Sequence, residues 1–290
     1  MAAARIGVAL GSGAARGLTH IPYIEAMDEL GLKPSMIAGC SIGALIGAGW
    51  AYGMTGKELR EHAYTMLGSF HQIAEKLWSA LPSLTGVFRT GLSFQVDALA
   101  ITSAFLPAGF PDDFDALAIP LNVIATDLRA WEEVVIGEGP LRPAIAASVA
   151  IPSLFRAVAH EGRIFVDGGA TNPLPLDRAT VGSDILVGID VNGEADEKLA
   201  GVEPGVFDAG FLASQIMSQT MIANMVKRFP PDVYVRPAVN AFGILEFWRV
   251  REILESSEPD KDRFKRALGE QIEAFESRRR GGKMSDATTA

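Results

Sequence analysis

The sequence predicts an α/β fold in which helices flank one mostly parallel sheet. Short apolar segments of strand length alternate with longer segments of helical periodicity, an order typical of parallel sheets. The chain has 290 residues, of which 48% are hydrophobic, and this is enough for one large domain with a real core. We therefore expect a single domain over residues 1–277 and a disordered tail over 278–290.

The first two strands each lead into a helix. A strand is predicted over 5–10, followed by a glycine-rich turn and a helix over about 15–30 whose apolar residues share one face. A second strand over 35–39 leads through a sharp turn into a helix over 42–52. This second helix is rich in Ala and Gly, so it can lie close against a sheet.

A helical insertion is predicted next, and after it the alternation of strands and helices resumes. Residues from about 55 to 111 carry short helical patterns, broken by Gly and Pro, and no clear strand. Further strands are predicted over 119–126, 133–136, 163–166, 184–191 and 232–236. Helices are predicted over 142–149 and 206–227, and a charged helical region that contains Pro259 completes the fold.

Composition narrows the classes of function. A net charge of -9 and a pI near 5.0 argue against a general nucleic-acid binder, which needs a concentrated positive surface. The single cysteine, Cys40, cannot form an intramolecular disulfide, and no Cys/His spacing resembles a zinc site. No apolar run reaches bilayer length, and the first residues do not resemble a secretion signal. We expect a cytoplasmic protein that makes peripheral contact with the inner membrane surface.

One five-residue motif predicts a nucleophile. Gly39-Cys40-Ser41-Ile42-Gly43 matches G-x-S-x-G between a strand and a helix of small residues. On such a strained turn the serine hydroxyl is lifted away from the backbone, and small neighbours prevent collisions. The alternative is that Ser41 only caps the helix that follows.

A second glycine-rich turn predicts an oxyanion hole. The segment from Gly11 to Gly17 follows a strand and opens a helix, so its N–H groups can converge on a negative oxygen. The candidate donors are Ser12, Gly13 and the positive charge of Arg16. A dinucleotide site fits less well because the third glycine is one residue late and no acidic residue ends the next strand. The other alternative is a turn that only allows close packing.

The base that activates the serine is predicted to be a carboxylate. The chain has four histidines, and none occurs in its last 130 residues, where an α/β-hydrolase would place its catalytic histidine. We expect packing or surface roles for them (His20, His62, His71 and His160). Asp167 instead ends an apolar strand and is followed by Gly168 and Gly169, which let another chain or a substrate approach. By itself, D-G-G is more often a simple turn.

The order of these motifs resembles the patatin-like phospholipase family, and especially its bacterial RssA-like branch. The likeness includes the blocks Ala147–Phe155, Asn172–Pro175, Thr126–Leu128 and Phe242–Phe247, and it covers about residues 5–254. It implies Ser41 as nucleophile, Asp167 as its dyad partner, and the region of Ser12, Gly13 and Arg16 as the oxyanion hole. Ser12 and Ser153 depart from the family pattern, since glycine is usual at both positions.

The resemblance also implies the chemistry. Phospholipids or lysophospholipids would be cleaved through an acyl-serine intermediate, without a metal or an organic cofactor. Two alternatives stay open, which are a non-enzymatic regulatory or adaptor protein on the same fold and an esterase for small soluble esters.

The insertion is predicted to cover the nucleophile and to control access of apolar substrate. It directly follows the nucleophile helix, and an acyl pocket needs an apolar lining. For any one of its large apolar residues, burial in the core is the alternative. These residues are Phe70, Trp78, Leu81, Leu84, Phe88, Leu92 and Phe94.

Overall fold

A sheet of eight strands occupies the centre of the part of the chain that the structure describes. This computed structural model describes residues 3–80, 97–152, 154–194 and 205–288. The strands are β1 Ile6–Leu10, β2 Met36–Cys40, β3 Leu121–Asp127, β4 Glu132–Ile136, β5 Val158–His160, β6 Arg163–Asp167, β7 Ile185–Ile189 and β8 Val233–Val235.

The sheet is parallel over most of its width. Its order is β5-β6-β3-β2-β1-β7-β8, with β4 paired to β3 outside this path. The pairs from β3 through β2, β1 and β7 to β8 are parallel, whereas β4, β5 and β6 pair in antiparallel fashion. Every residue of β1 and β7 is buried, as expected for central strands covered on both faces. The predicted α/β class with a mostly parallel sheet is confirmed.

Helices follow most of the strands. Their bounds are α1 His20–Glu29, α2 Ile42–Tyr52, α3 Gly56–Ala80, α4 Ala98–Phe105, α5 Leu141–Ser148, α6 Leu176–Ala179, α7 Val206–Arg228, α8 Val250–Ser256 and α9 Lys261–Thr288. The described part of the insertion is formed by α3 and α4. Within the described residues, no helix is both long enough and apolar enough to cross a membrane.

Several details differ from the sequence prediction. The first helix begins as a 3₁₀ turn over Ala14–Thr19 before α1. Pro259 lies in a 3₁₀ turn between α8 and α9, so the charged region forms two helices instead of one. The edge strand β5 was not predicted, because three residues give too short a pattern.

Two predictions about segments stay predictions. Most of the insertion's large apolar residues, including Phe88 and Phe94, lie outside the described residues. The domain limits of 1–277 and the disorder of 278–290 are also untested, and α9 runs to Thr288.

The candidate site lies where two strands end on the same edge of β3. β2 pairs with the first half of β3, with Cys40 opposite Ile124. β6 pairs with the second half, with Asp167 opposite Ala125. Because β4 occupies the other edge of β3 over residues 123–127, β2 and β6 share one edge and meet end to end. The residue that follows Cys40 is therefore brought level with Asp167.

Candidate active site

Ser41 occupies a strained turn between β2 and α2. Its backbone angles are φ 56° and ψ -122°, a combination that a non-glycine residue adopts only when the surrounding structure enforces it. Ser41 stands at the N-cap position of α2, but its side chain makes no capping hydrogen bond. The hydroxyl is therefore directed to another partner, which argues against the capping alternative.

The close approach of β1 explains why small residues flank Ser41. A Cβ atom on Gly43 would lie 2.2 Å from the Leu10 carbonyl oxygen, so any larger residue would separate α2 from β1. Gly168 is confined in the same way, because its Cβ would lie 2.3 Å from the Ile124 carbonyl oxygen. These two glycines allow the serine turn and the aspartate turn to approach the same part of the sheet.

The hydroxyl of Ser41 donates a hydrogen bond directly to the carboxylate of Asp167. The distance from Ser41 Oγ to Asp167 Oδ2 is 2.6 Å, and both side chains are buried. The other carboxylate oxygen, Oδ1, accepts the Gly169 N–H at 2.7 Å. Burial raises the pKa of Asp167 from 3.8 to about 6, although the hydrogen bonds from Ser41 and Gly169 oppose that rise. Near neutral pH the group is thus a carboxylate with a raised affinity for a proton.

A buried serine of α5 supports the turn that carries Ser41. The Ser41 N–H donates to Ser148 Oγ at 2.8 Å, and Ser148 is fully buried. The sequence prediction placed Ser148 in a motif block but assigned it no role. Its position at the end of a small-residue helix before Ala-Ile-Pro was the available signal, and it did not identify the partner.

The glycine-rich turn lies beside the serine turn, because β1 and β2 pair with Leu10 opposite Gly39. The Ser12 N–H donates to the Pro173 carbonyl at 2.8 Å. An N–H has one proton, so the prediction that Ser12 supplies an oxyanion donor does not fit this conformation. Among the described residues, no hydrogen-bond partner is found for the N–H groups of Gly13 and Ala14.

The strained residue of this turn is Ala14 and not Ser12. Ala14 has a φ of 49°, in the left-handed region, whereas Ser12 is absent from the non-glycine residues with positive φ. The Ser12 hydroxyl lies near Gly169 and interacts with the Cys40 thiol. Burial raises the pKa of that thiol, so Cys40 stays protonated beside the candidate nucleophile.

Arg16 fastens the turn to two later parts of the chain. Its Nε donates to the Phe242 carbonyl at 2.8 Å and its NH1 donates to the Asn192 carbonyl at 2.9 Å. The backbone adds a third tie, since the Ala15 N–H donates to the Ile244 carbonyl at 2.8 Å. These hydrogen bonds restrain Gly13 and Ala14, which lie between the anchored residues and β1.

The histidines whose side chains are described have partners other than Ser41. His20 is buried, with Nε2 2.9 Å from the Gly11 carbonyl oxygen, and burial lowers its pKa to about 4. His62 Nε2 contacts the Phe105 carbonyl, and His160 lies against Phe165. The side chain of His71 lies outside the described part of the chain.

Together these contacts define a mixed α/β protein in which a buried serine on a strand-to-helix turn is hydrogen-bonded directly to a carboxylate. The family model for patatin-like phospholipases matches residues 8–180, a range that contains both members of this pair and the glycine-rich turn. The chain belongs to the patatin-like phospholipase family. The narrower assignment to the RssA-like branch stays a prediction.

Individual relatives are similar over part of their length. An uncharacterized NTE family protein of Mycobacterium tuberculosis is 34% identical over 203 residues, which are 70% of this chain and 53% of that protein. Patatin-like phospholipase domain-containing protein 6 of Homo sapiens is 28% identical over 198 residues, 67% of this chain and 14% of that protein. The crystal structure of VipD from Legionella pneumophila has 15% identity and a TM-score of 0.49, covering 92% of this chain and 67% of that one. This chain thus spans about half the length of the mycobacterial relative.

Proposed function

We propose that this chain is a serine acyl hydrolase that cleaves carboxylic ester bonds of lipids, of the phospholipase A or lysophospholipase type. The observation that carries the proposal is the 2.6 Å hydrogen bond from Ser41 Oγ to Asp167 Oδ2 in a buried site. A carboxylate whose pKa is raised to about 6 is suited to accept a proton near neutral pH. Membership of the patatin-like phospholipase family supports a lipid acyl ester as the substrate.

The proposed reaction proceeds through an acyl-serine intermediate. Asp167 accepts the hydroxyl proton while Ser41 Oγ attacks the ester carbonyl carbon, and the resulting carboxylic acid then protonates the departing alcohol. Water next attacks the acyl group on Ser41 while Asp167 accepts a proton from that water. The tetrahedral intermediate collapses, Ser41 regains its proton and a fatty acid leaves.

The N–H groups of Gly13 and Ala14 are the proposed donors to the oxyanion. Each lies at the start of the 3₁₀ turn beside the serine turn and has no other hydrogen-bond partner among the described residues. Donors that are fixed before the reaction stabilise a developing negative charge without reorganising. Ser12 is not among the proposed donors, because its N–H already donates to the Pro173 carbonyl.

A fluorophosphonate probe tests whether Ser41 is an activated nucleophile. The probe phosphonylates such serines, and peptide mapping should recover the label on Ser41. The control is a reaction with Ser183→Ala, since Ser183 also has a hydrogen-bonded hydroxyl but lies far along the chain at the opposite end of the sheet. An unlabelled protein with native circular dichroism would rule out the hydrolase and favour a non-enzymatic adaptor on this fold.

Substrate class is tested by comparing ester types. We expect phosphatidylcholine or lysophosphatidylcholine to be hydrolysed with a higher kcat/KM than a short soluble ester. The reverse order would favour an esterase for small soluble esters. Either outcome leaves the proposed Ser41 chemistry unchanged, because the dyad acts on the same acyl group in both substrates.

Ser148→Ala should lower kcat by about 10- to 100-fold with little change in KM. Removal of the hydroxyl leaves the buried Ser41 N–H without its acceptor and loosens the strained turn, and small displacements of a nucleophile reduce the rate by such factors. Single-turnover labelling by the probe and steady-state kinetics measure the effect. Ser183→Ala is the matched control, and equal rates for both variants would contradict a positioning role.

Arg16→Ala should lower kcat by about 100-fold, because the donors of the glycine-rich turn lose their anchor. Arg16→Lys separates loss of the positive charge from loss of the hydrogen bonds. Lysine keeps the charge but cannot donate to both carbonyls as the guanidinium does. We expect the lysine variant to remain impaired. If Arg16→Ala changed only KM, the residue would belong to a site for a substrate phosphate.

A further inference from the structure

The tip of the β3–β4 hairpin exposes two large apolar side chains. Trp131 is 88% exposed and Leu128 is 49% exposed. Trp131 also has a φ of 59°, in the left-handed region, which is an outlier for a bulky residue. Glycine is the residue that a turn of this conformation favours. Because the indole ring is exposed, packing within the fold does not offset the backbone strain at Trp131. The side chain therefore indicates a role in contact with a partner.

The backbone of the tip is held in place by hydrogen bonds. Asp127 Oδ1 accepts the N–H groups of Arg129 and Ala130 at 2.8 and 3.1 Å. The Asp127 carbonyl accepts the Trp131 N–H at 2.9 Å, and the Leu128 N–H donates to the Ile164 carbonyl at 2.8 Å. The turn therefore presents its apolar side chains on a fixed backbone, so little conformational entropy is lost when they contact a partner.

The tip projects from the end of the sheet at which the candidate active site lies, beyond the C-terminal ends of β2 and β3. β2 and β3 run parallel with Cys40 opposite Ile124, so Ser41 and Asp167 lie level with Ala125. Leu128 is three residues further along the chain in the same direction, or about 10 Å at the usual rise of a strand. A flat surface that contacts the tip would thus lie beyond the end of the sheet at which Ser41 is located.

The formal charges of the hairpin tip, residues 127–132, and of its ion-pair partner Arg163 cancel. Arg129 and Arg163 contribute two positive charges, and Asp127 and Glu132 contribute two negative ones. Arg163 NH1 lies 3.6 Å from Asp127 Oδ2 and 3.2 Å from Glu132 Oε1. A neutral tip with an exposed tryptophan is suited to the interface of a zwitterionic bilayer, where the amphipathic indole ring is favoured.

We propose that Trp131 and Leu128 insert into the interfacial region of a zwitterionic lipid bilayer and place against it the end of the sheet that carries Ser41. This inference rests on the proposed lipid hydrolase activity, because the bilayer would supply the candidate active site with its lipid substrate. Apolar burial drives the contact, so binding should not weaken as the salt concentration rises.

The test uses the full chain with Ser41→Ala, so that vesicles stay intact during the measurement. Flotation with phosphatidylcholine vesicles should show binding, and tryptophan emission should shift to the blue as Trp131 leaves water. Adding Trp131→Gly should reduce partitioning by about tenfold or more, because the apolar area of the indole is lost. Trp131→Phe should retain most of it.

Two features keep the test decisive. Trp131→Gly relieves the positive φ, so we expect a Tm equal to or above that of the parent, and a loss of binding cannot be assigned to misfolding. Val181→Ser is the matched control, since Val181 is 64% exposed and precedes β7 at the opposite edge of the sheet. This control should bind vesicles as the parent does.

Three results would overturn the inference. They are failure of the parent to bind vesicles, equal losses in the glycine and control variants, and self-association on size exclusion that disappears with Trp131→Gly. The last result would assign the tip to a second copy of the chain. Vesicle binding is measured without hydrolysis, so the two proposals can fail separately. If the protein binds vesicles but Ser41 resists the fluorophosphonate probe, the proposed hydrolase is contradicted and the membrane-binding inference stands.

Discussion

Replacing Ser41 with Ala or Asp167 with Asn is expected to abolish ester hydrolysis while the fold is retained. The two side chains share one short hydrogen bond and act as a unit, so either change alone should reduce kcat by about 10⁴-fold or more. The double variant should lose little further activity, since the remaining groups act only on binding and on the oxyanion. Steady-state hydrolysis of a lysophospholipid, together with circular dichroism, measures the outcome.

The histidine variants are the control for this prediction. Replacement of all four histidines should leave substantial activity, because the described histidine side chains have other partners. His160→Gln is the single variant to test, and His160 lies on the edge strand β5. Loss of fluorophosphonate labelling in this variant, with normal circular dichroism, would indicate a triad and contradict the dyad.

A pH profile should report the titration of Asp167. With its pKa raised to about 6, the carboxylate is present above that pH and protonated below it. We therefore expect kcat/KM for a soluble ester to rise through about pH 6 and to be about tenfold lower at pH 5 than on the plateau. A profile that is flat from pH 5 to pH 8 would show that Asp167 is not the base.

The same pKa predicts that Asp167→Asn stabilises the protein at neutral pH. Folding raises the pKa of this carboxyl from 3.8 to about 6, so the folded state favours the protonated form. The resulting stability is fully present below about pH 4 and is lost as the pH rises through 6. At pH 7 the buried carboxylate costs roughly 3 kcal/mol, which an uncharged asparagine largely avoids.

Chemical denaturation at several pH values checks this sign. The free energy of unfolding should fall between pH 4 and pH 6 in the parent relative to Asp167→Asn, and the gap should be constant above about pH 7. Other carboxylates change protonation equally in both proteins, so the difference isolates Asp167. A less stable asparagine variant at pH 7 would mean that the hydrogen bonds from Ser41 and Gly169 outweigh the burial of the charge.

Local patterns predicted the helices and strands that carry the candidate site. The helix that follows Ser41 was predicted over 42–52 and is observed as Ile42–Tyr52. The strand that ends at Asp167 was predicted within one residue of its observed end. These elements were accessible because periodicity and small residues at turns act over a few neighbouring positions.

Local sequence patterns did not predict which N–H groups of the glycine-rich turn could donate to an oxyanion. The sequence suggested Ser12 as a donor, yet its N–H donates to the Pro173 carbonyl. Within the part of the chain that the structure describes, it is the N–H groups of Gly13 and Ala14 that have no partner. The acceptors of Arg16 likewise come from distant loops. Such assignments depend on which carbonyl lies opposite each N–H, and local sequence carries no information about that.

The sequence by itself determined the α/β class, the family and the two turns that carry Ser41 and Asp167. The family resemblance also implied that Ser41 and Asp167 form a dyad, whereas only the tertiary structure shows how the two turns meet. β2 ends opposite Ile124, and the antiparallel register of β6 places Asp167 opposite Ala125 on the same edge of β3. The tertiary structure also decided that Ser148 supports Ser41. The physical reason is that turns and helices are set by neighbouring residues, whereas strand register is set by pairing and burial across the whole sheet.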